Sequence, residues 1–271
     1  MLDILGYGFM QRALISGTLL ALAASLLGVF LVLKRHALIG HGLAHISFGG
    51  IAVGLLFGVS PFLSALVFGV LGAFGIVKAR ERTRLEGDAS IGLFADAALG
   101  LGVLVASIAN AFNIDIMSYL FGSILAISPS EVILSSVLAA TVILFVVLFY
   151  NELFVLTFDE ETAKVSGINV DVLNSLLVFM TAVTVVSAMR VVGLLLVSAL
   201  LVFPYAASVQ VAKNFRETLV IAAFIAVASV LGGIFVSYYL DWAASGTIVL
   251  LLVVSFFLSR TVRRFRNPDS V

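Results

Sequence analysis

Residues 13–33 carry no charged side chain, a run of about twenty residues, which is the length an α-helix needs to cross the hydrocarbon core of a bilayer. Comparable runs recur from one end of the sequence to the other, at 38–58, 61–77, 89–110, 131–150, 171–189, 191–210, 218–239 and 244–259. The sixth and seventh are separated only by Arg190, so that boundary is the weakest. Lipid offers the backbone no hydrogen-bond partner, so such runs must satisfy their own N–H and C=O groups as helices or as a closed barrel. A barrel would show short alternating segments. These runs are continuous, and hydrophobic residues reach 62% of the chain against 11% charged. The expected fold is an all-α, polytopic bundle of about nine transmembrane helices, forming one domain over 1–271.

The basic residues orient the bundle. With nine spans, Lys34, Arg35, the cluster Lys78, Arg80, Arg82 and Arg84, then Lys164, Lys213, Arg216, Arg260, Arg263, Arg264 and Arg266 all fall on one side. That is thirteen of the fifteen Lys and Arg, leaving Arg12 and Arg190 on the other. Cytoplasmic loops hold the Lys/Arg excess, which predicts an external N-terminus and a cytoplasmic C-terminus in a multi-pass cell-membrane protein.

Other signals narrow the function. Without cysteine there is no disulfide framework and no thiolate metal site. The first run has span length rather than signal length and lacks a clear cleavage site. No Gly-x-x-x-x-Gly-Lys-Ser/Thr phosphate loop occurs, so ATP hydrolysis, if it drives the protein, belongs to another chain. Small residues recur every fourth position at Gly17, Ala21, Ser25 and at Gly50, Gly54, Gly58, a pattern that lets helix backbones approach within one bundle or across a dimer seam. The external segment 110–130, with Asp115, Tyr119, Gly122 and Pro129, is too short to cross and reads as re-entrant or interfacial.

Between the fifth and sixth spans, about 157–168, lies the grammar of a short helix. Thr157 or Asp159 can cap it, and Asp159, Glu160 and Glu161 suit the positive end of its dipole. Ala163, Val165 and Ile168 supply apolar surface, and Gly167 a left-handed stop. A helix this short needs something to pack on: the protein's own cytoplasmic face, or a groove in a separate subunit.

Ionisable side chains at membrane depth are expensive and point to function. His41 and His45, four apart at the start of the second span, share one helix face, a spacing at which two imidazoles bind one metal ion. Asp96 lies about seven residues into the fourth span, on the order of 10 Å deep, near the depth of His45. Two imidazoles and a carboxylate make a weak site for a borderline ion, and weakness suits transport, which must also release. Asp241, beside Trp242, reads as an interfacial anchor, and His36, beside Lys34 and Arg35, as solvated.

Taken together, several segments resemble the permeases of ABC importers for zinc, manganese and iron(II). They are Leu38-Ile-Gly-His-Gly-Leu-Ala-His45-Ile-Ser-Phe, Asp88-Ala-Ser-Ile-Gly92, Tyr119-Leu-Phe-Gly-Ser123, Phe158-Asp-Glu-Glu-Thr-Ala163-Lys-Val-Ser-Gly167, Val192-Gly-Leu-Leu-Leu-Val-Ser-Ala-Leu-Leu-Val-Phe-Pro204, and Ser237-Tyr-Tyr-Leu-Asp241 followed by Gly246-Thr-Ile-Val. The resemblance covers the chain in order. It implies a homodimer of permeases, two cytoplasmic ABC ATPases docking on Asp159, Glu160, Glu161, Ala163 and Gly167, and an extracellular or periplasmic metal-binding protein. It further implies an ion path moved by alternating access. No enzymatic activity, nucleic-acid partner or permanently bound cofactor is expected, only Zn²⁺ or Mn²⁺ as cargo. The family usually has Gly-Asp-x-x-x-His where this chain has Gly40-His41-x-x-x-His45, an exchange of carboxylate for imidazole that leans toward zinc. Ala243 and Ala244 stand where a proline is common. A stand-alone metal carrier or channel is the competing reading, and such a protein would have no use for the 161–167 segment.

Overall fold

The computed structural model describes residues 6–82, 87–109, 119–120, 122 and 127–266. Most of the 110–130 segment, with Asp115, lies outside them, as do Arg84 and the last five residues. The described chain is helical. The helices are α1 (Gly8–Leu33), α2 (Ile39–Leu56), α3 (Pro61–Arg82), α4 (Gly87–Ile108), α5 (Pro129–Leu148), α6 (Tyr150–Phe158), α7 (Glu160–Val165), α8 (Val170–Val192), α9 (Leu194–Val211), α10 (Phe215–Leu240) and α11 (Ala244–Arg266). Nine of these are long and apolar enough to span a membrane among the described residues. They match the nine runs read from the sequence, with α6 and α7 as the two short additions.

α1 is the central pillar. It packs on α10, α5, α9 and α8, while α2 packs on α4 and α3, and α9, α10 and α11 pack on one another. In lipid, helices gain little by hiding apolar surface from each other, so the bundle depends on close approach. At Gly28 a β-carbon would lie 2.0 Å from the Leu201 carbonyl oxygen, so the α1–α9 crossing is backbone against backbone. The two small-residue stripes are used in the same way. β-Carbons at Gly50 and Gly54 would strike Ala65, Ser64 and Pro61 of α3, and one at Gly17 would press on Val230 of α10. These contacts use Gly17, Gly50 and Gly54 for packing inside the chain, whereas Gly58 lies past the end of α2 with no atom within 4 Å of an added β-carbon.

The division between the sixth and seventh spans falls at Gly193, not at Arg190. Gly193 has φ 88° and ψ 155°, a conformation open essentially to glycine alone. Arg190 stays inside the last turn of α8, and its Nε lies 2.5 Å from Glu131 Oε1 at the start of α5. Glu131 also closes a capping box there: its carboxylate accepts from the Ser128 N–H at 2.7 Å, and its own N–H donates to the Ser128 hydroxyl. One of the two basic residues of the far side is thus half of an ion pair that joins two spans. Gly122, at φ 75°, lies against the same junction, where its β-carbon would lie 2.6 Å from Val192.

Gly28→Val is expected to destabilise the detergent-purified protein by about 3 kcal/mol through overpacking. Gly75→Ala, with no atom within 4 Å of the added carbon, should melt like the parent. Size-exclusion profiles recorded after stepwise heating compare the two, and equal profiles would refute the close crossing.

Candidate functional site

His41 is the third residue of α2 and His45 lies one turn on. Their ring centroids are 4.2 Å apart at an interplanar angle of 56°. His41 is exposed and His45 half-buried, and His45 Nδ1 is buried without a hydrogen-bond partner among the described residues.

α2 and α4 run parallel. A β-carbon at Gly42 would touch Ile91 at 2.6 Å, and seven residues on in both helices one at Gly49 would touch the Ala98 carbonyl at 3.0 Å. His45 is therefore level with residue 94, and Asp96 stands about 3 Å beyond it along the axis at 1.5 Å per residue. Among the described residues, however, no three His, Asp or Glu side chains converge closely enough to hold a metal ion. The arrangement is a pair of imidazoles with a carboxylate beside them, not a closed cage. α4 packs on α2 and only marginally on α3, which leaves Leu93, Asp96, Ala97, Gly100 and Leu104 uncovered. A carboxylate so placed in a spanning helix is costly against lipid.

At the same Lys/Arg-rich end of the bundle from which α2 starts, the segment read as one helix over 157–168 is two pieces. α6 continues to Phe158, and Thr157 donates its hydroxyl back to the Leu153 carbonyl at 2.6 Å instead of capping anything. Asp159 is extended and is the true cap of α7. Its Oδ1 accepts the Thr162 N–H at 3.0 Å and its Oδ2 the Thr162 hydroxyl at 2.5 Å. The hydroxyl bond first, and the backbone bond after it, hold this exposed carboxyl below the usual aspartate range. Gly167, at φ 82°, closes the helix with the paired reversed bonds of a Schellman stop: Gly167 N–H to Lys164 C=O, and Ile168 N–H to Ala163 C=O, both at 3.1 Å. Ala163 is fully buried beneath the helix, whereas Val165 is 90% exposed and Glu160 and Glu161 face outward. α7 thus sits on the protein through Ala163 and presents an acidic edge with one apolar knob.

Two supports of α7 carry no signal in the sequence. Phe215, at the start of α10, gathers the rings of Phe30, Tyr150, Phe154 and Phe158 at centroid distances of 5.1 to 5.9 Å. This anchors α6 to α1 and α10, each pair adding about 0.5–1.5 kcal/mol beyond its buried area. Lys34, which caps the end of α1, has a side chain only 7% exposed, with Nζ 3.9 Å from Glu160 Oε2 and donating to Asn174 Oδ1 of α8. Removing one partner of a buried ion pair costs about 3–5 kcal/mol, less here because Glu160 is half-exposed and also pairs with Lys164 at 3.2 Å. These groups line a cavity of about 370 Å³ together with His36, which is half-buried instead of solvated.

Residues 6–263 match the model of the ABC 3 transport family. The chain belongs to that family. An ABC 3 chain is a membrane transport component and not an enzyme, and membership displaces the solitary-carrier reading. The chain is 30% identical over 253 residues, 93% of its own length and 90% of the relative's, to the manganese transport system membrane protein MntC of Listeria monocytogenes. It is 30% identical over 247 residues, 91% of its length and 95% of the relative's, to the high-affinity zinc uptake system membrane protein ZnuB of Haemophilus influenzae. Among solved structures it resembles a chain of PsaBC from Streptococcus pneumoniae in complex with Fab, at a TM-score of 0.85 and 26% identity over 98% of both chains.

The Asp159 cap has a defined pH dependence. Its carboxyl is lowered in the folded state, so the stabilisation is present at neutral pH and disappears as pH falls below the ordinary aspartate value of about 3.9. Amide exchange at Thr162, corrected for intrinsic rate, is expected to accelerate below that pH. Asp159→Asn, which can still cap, should keep Thr162 protected and remove the pH dependence. Exchange in the variant that still follows pH would discount the cap.

Proposed function

We propose that the chain is the permease of an ATP-driven importer of divalent metal ions, with zinc as the cargo and the Lys/Arg-rich end of the bundle in the cytoplasm. One observation carries the reading: the His41–His45 ring pair lies beside α4, with Asp96 about 3 Å beyond the level of His45, on an uncovered face of parallel spans. Neutral imidazole suits Zn²⁺, and an incomplete ligand set suits an ion that must be released. A second copy of the permease packed against the open α4 face supplies the polar surroundings Asp96 needs. α7 is the docking helix for a separate ATPase, its acidic edge and Val165 turned toward the partner, and a binding protein delivers the ion at the far side. Manganese is the second reading, favoured by the name of the Listeria relative, and iron(II) stands behind it.

Three experiments test this. His45→Ala is expected to cut zinc uptake in vesicles by at least about tenfold at unchanged expression; wild-type uptake in a His41→Ala, His45→Ala double variant removes the pair from the path. Growth rescue of a strain lacking its own zinc and manganese importers decides the cargo, and rescue by manganese alone overturns zinc. Glu161→Lys reverses a charge on the presented edge of α7 and should abolish co-purification of the ATPase. Undiminished co-purification sinks the docking assignment.

A further inference from the structure

We propose that Lys34 is a positioning residue that couples the docking helix to the ion path, by fixing the elbow between α1 and α2 to α7 and α8. This rests on α7 being the docking helix, as proposed above. The elbow is short and tightly wound. Arg35 stands at φ 59°, a left-handed conformation uncommon for a non-glycine residue, and the turn is held by Arg35 N–H to Val32 C=O at 3.0 Å and His36 N–H to Leu31 C=O at 2.8 Å. Ile39 N–H then donates to the His36 carbonyl at 3.0 Å, so α2 starts directly from the turn. His41 lies two residues beyond Ile39 and His45 one turn further. A displacement of the elbow must therefore carry both imidazoles with it.

Lys34 reaches α7 from this elbow. Its amine, nearly all of its stem out of solvent, meets Glu160 on one side and Asn174 on the other. Glu160 is the first residue of α7, immediately after the Asp159 cap, so it moves with the helix that the ATPase would push. Asn174 sits one turn into α8, the next span after α7. A buried amine keeps its position only while its acceptors stay in place, which makes Lys34 sensitive to the placement of α7 relative to α8. The cavity beside it, lined also by Ile39 and Ile91, provides room for that adjustment next to the α2–α4 pair.

The test uses the full transporter, permease with ATPase and binding protein, reconstituted in liposomes with zinc or manganese, whichever supports uptake. The readout is metal imported per ATP hydrolysed, a ratio that simple loss of active protein leaves unchanged. Lys34→Gln is expected to keep the ATPase bound and hydrolysing while the ratio falls about tenfold, a coupling change of ordinary size. Asn174→Ala, which leaves Lys34 its Glu160 partner and lies outside the docking segment, should lower the ratio in the same direction; it carries the test if Lys34→Gln does not fold. Lys34→Arg should retain most of the parent ratio. A parent ratio in both Lys34→Gln and Asn174→Ala, with the ATPase bound, overturns the proposal and leaves docking intact. Loss of the bound ATPase from these variants also overturns it, since Lys34 would then only shape the docking surface. Failure of the parent permease to bind the ATPase through α7 is a separate result, against the docking reading itself.

Discussion

Close approach of backbones governs this bundle. In a bilayer a leucine gains almost nothing by exchanging lipid for another leucine, so helices stay together where their surfaces fit and their polar groups are paired. Gly28 against the Leu201 carbonyl fixes α1 on α9, Gly42 and Gly49 fix α2 beside α4, and Gly50 and Gly54 seat α2 on α3. Everything functional hangs on the second of these contacts. Without the α2–α4 register, Asp96 would have no fixed relation to His45, and the uncovered face would carry an isolated charge.

The Lys/Arg-rich end is built on a different principle. There the elements are short, and α7, at six residues, could not persist alone. It is held by a cap at each end, by buried Ala163, and by the aromatic group around Phe215 that clamps the preceding α6. Polar pairing at Lys34 then joins this assembly to α1 and α8. The bundle supplies rigidity through apolar fit, and the appended segment supplies a defined surface through hydrogen bonds and charge.

How much of this could be read from the sequence follows from the kind of physics involved. The spans were legible because a bilayer tolerates few charges and about twenty residues are needed to cross it. Arg190 is misleading at the α8–α9 boundary: a charge looks like an end, but the backbone turns at Gly193, and Arg190 is paired with Glu131, far away in sequence. α6 was hidden because its residues continue the apolar run of α5. The small-residue stripes were visible, yet their partners were not, since spacing gives a face and not what covers it. The His41–His45 face followed from a four-residue spacing, whereas the parallel register of α2 with α4 depends on contacts no single helix encodes. Lys34 looked like one more basic residue at a membrane edge, and only the folded chain buries it.

The parallel course of α2 and α4 has an electrostatic consequence for any cation on the histidines. Each helix carries a partial positive charge at its N-terminus that fades within the first turn, and His41 lies in the first turn of α2 while His45 lies in the second. A cation at His41 would therefore feel the positive N-terminal end of α2 more than one at His45, with the start of α4 on the same side adding to the repulsion. The two imidazoles are chemically alike but not equal in hold. On the proposed ion path, the pair would form a short downhill step in affinity toward the N-terminal ends of the helices, the end at which the Lys/Arg-rich elements gather.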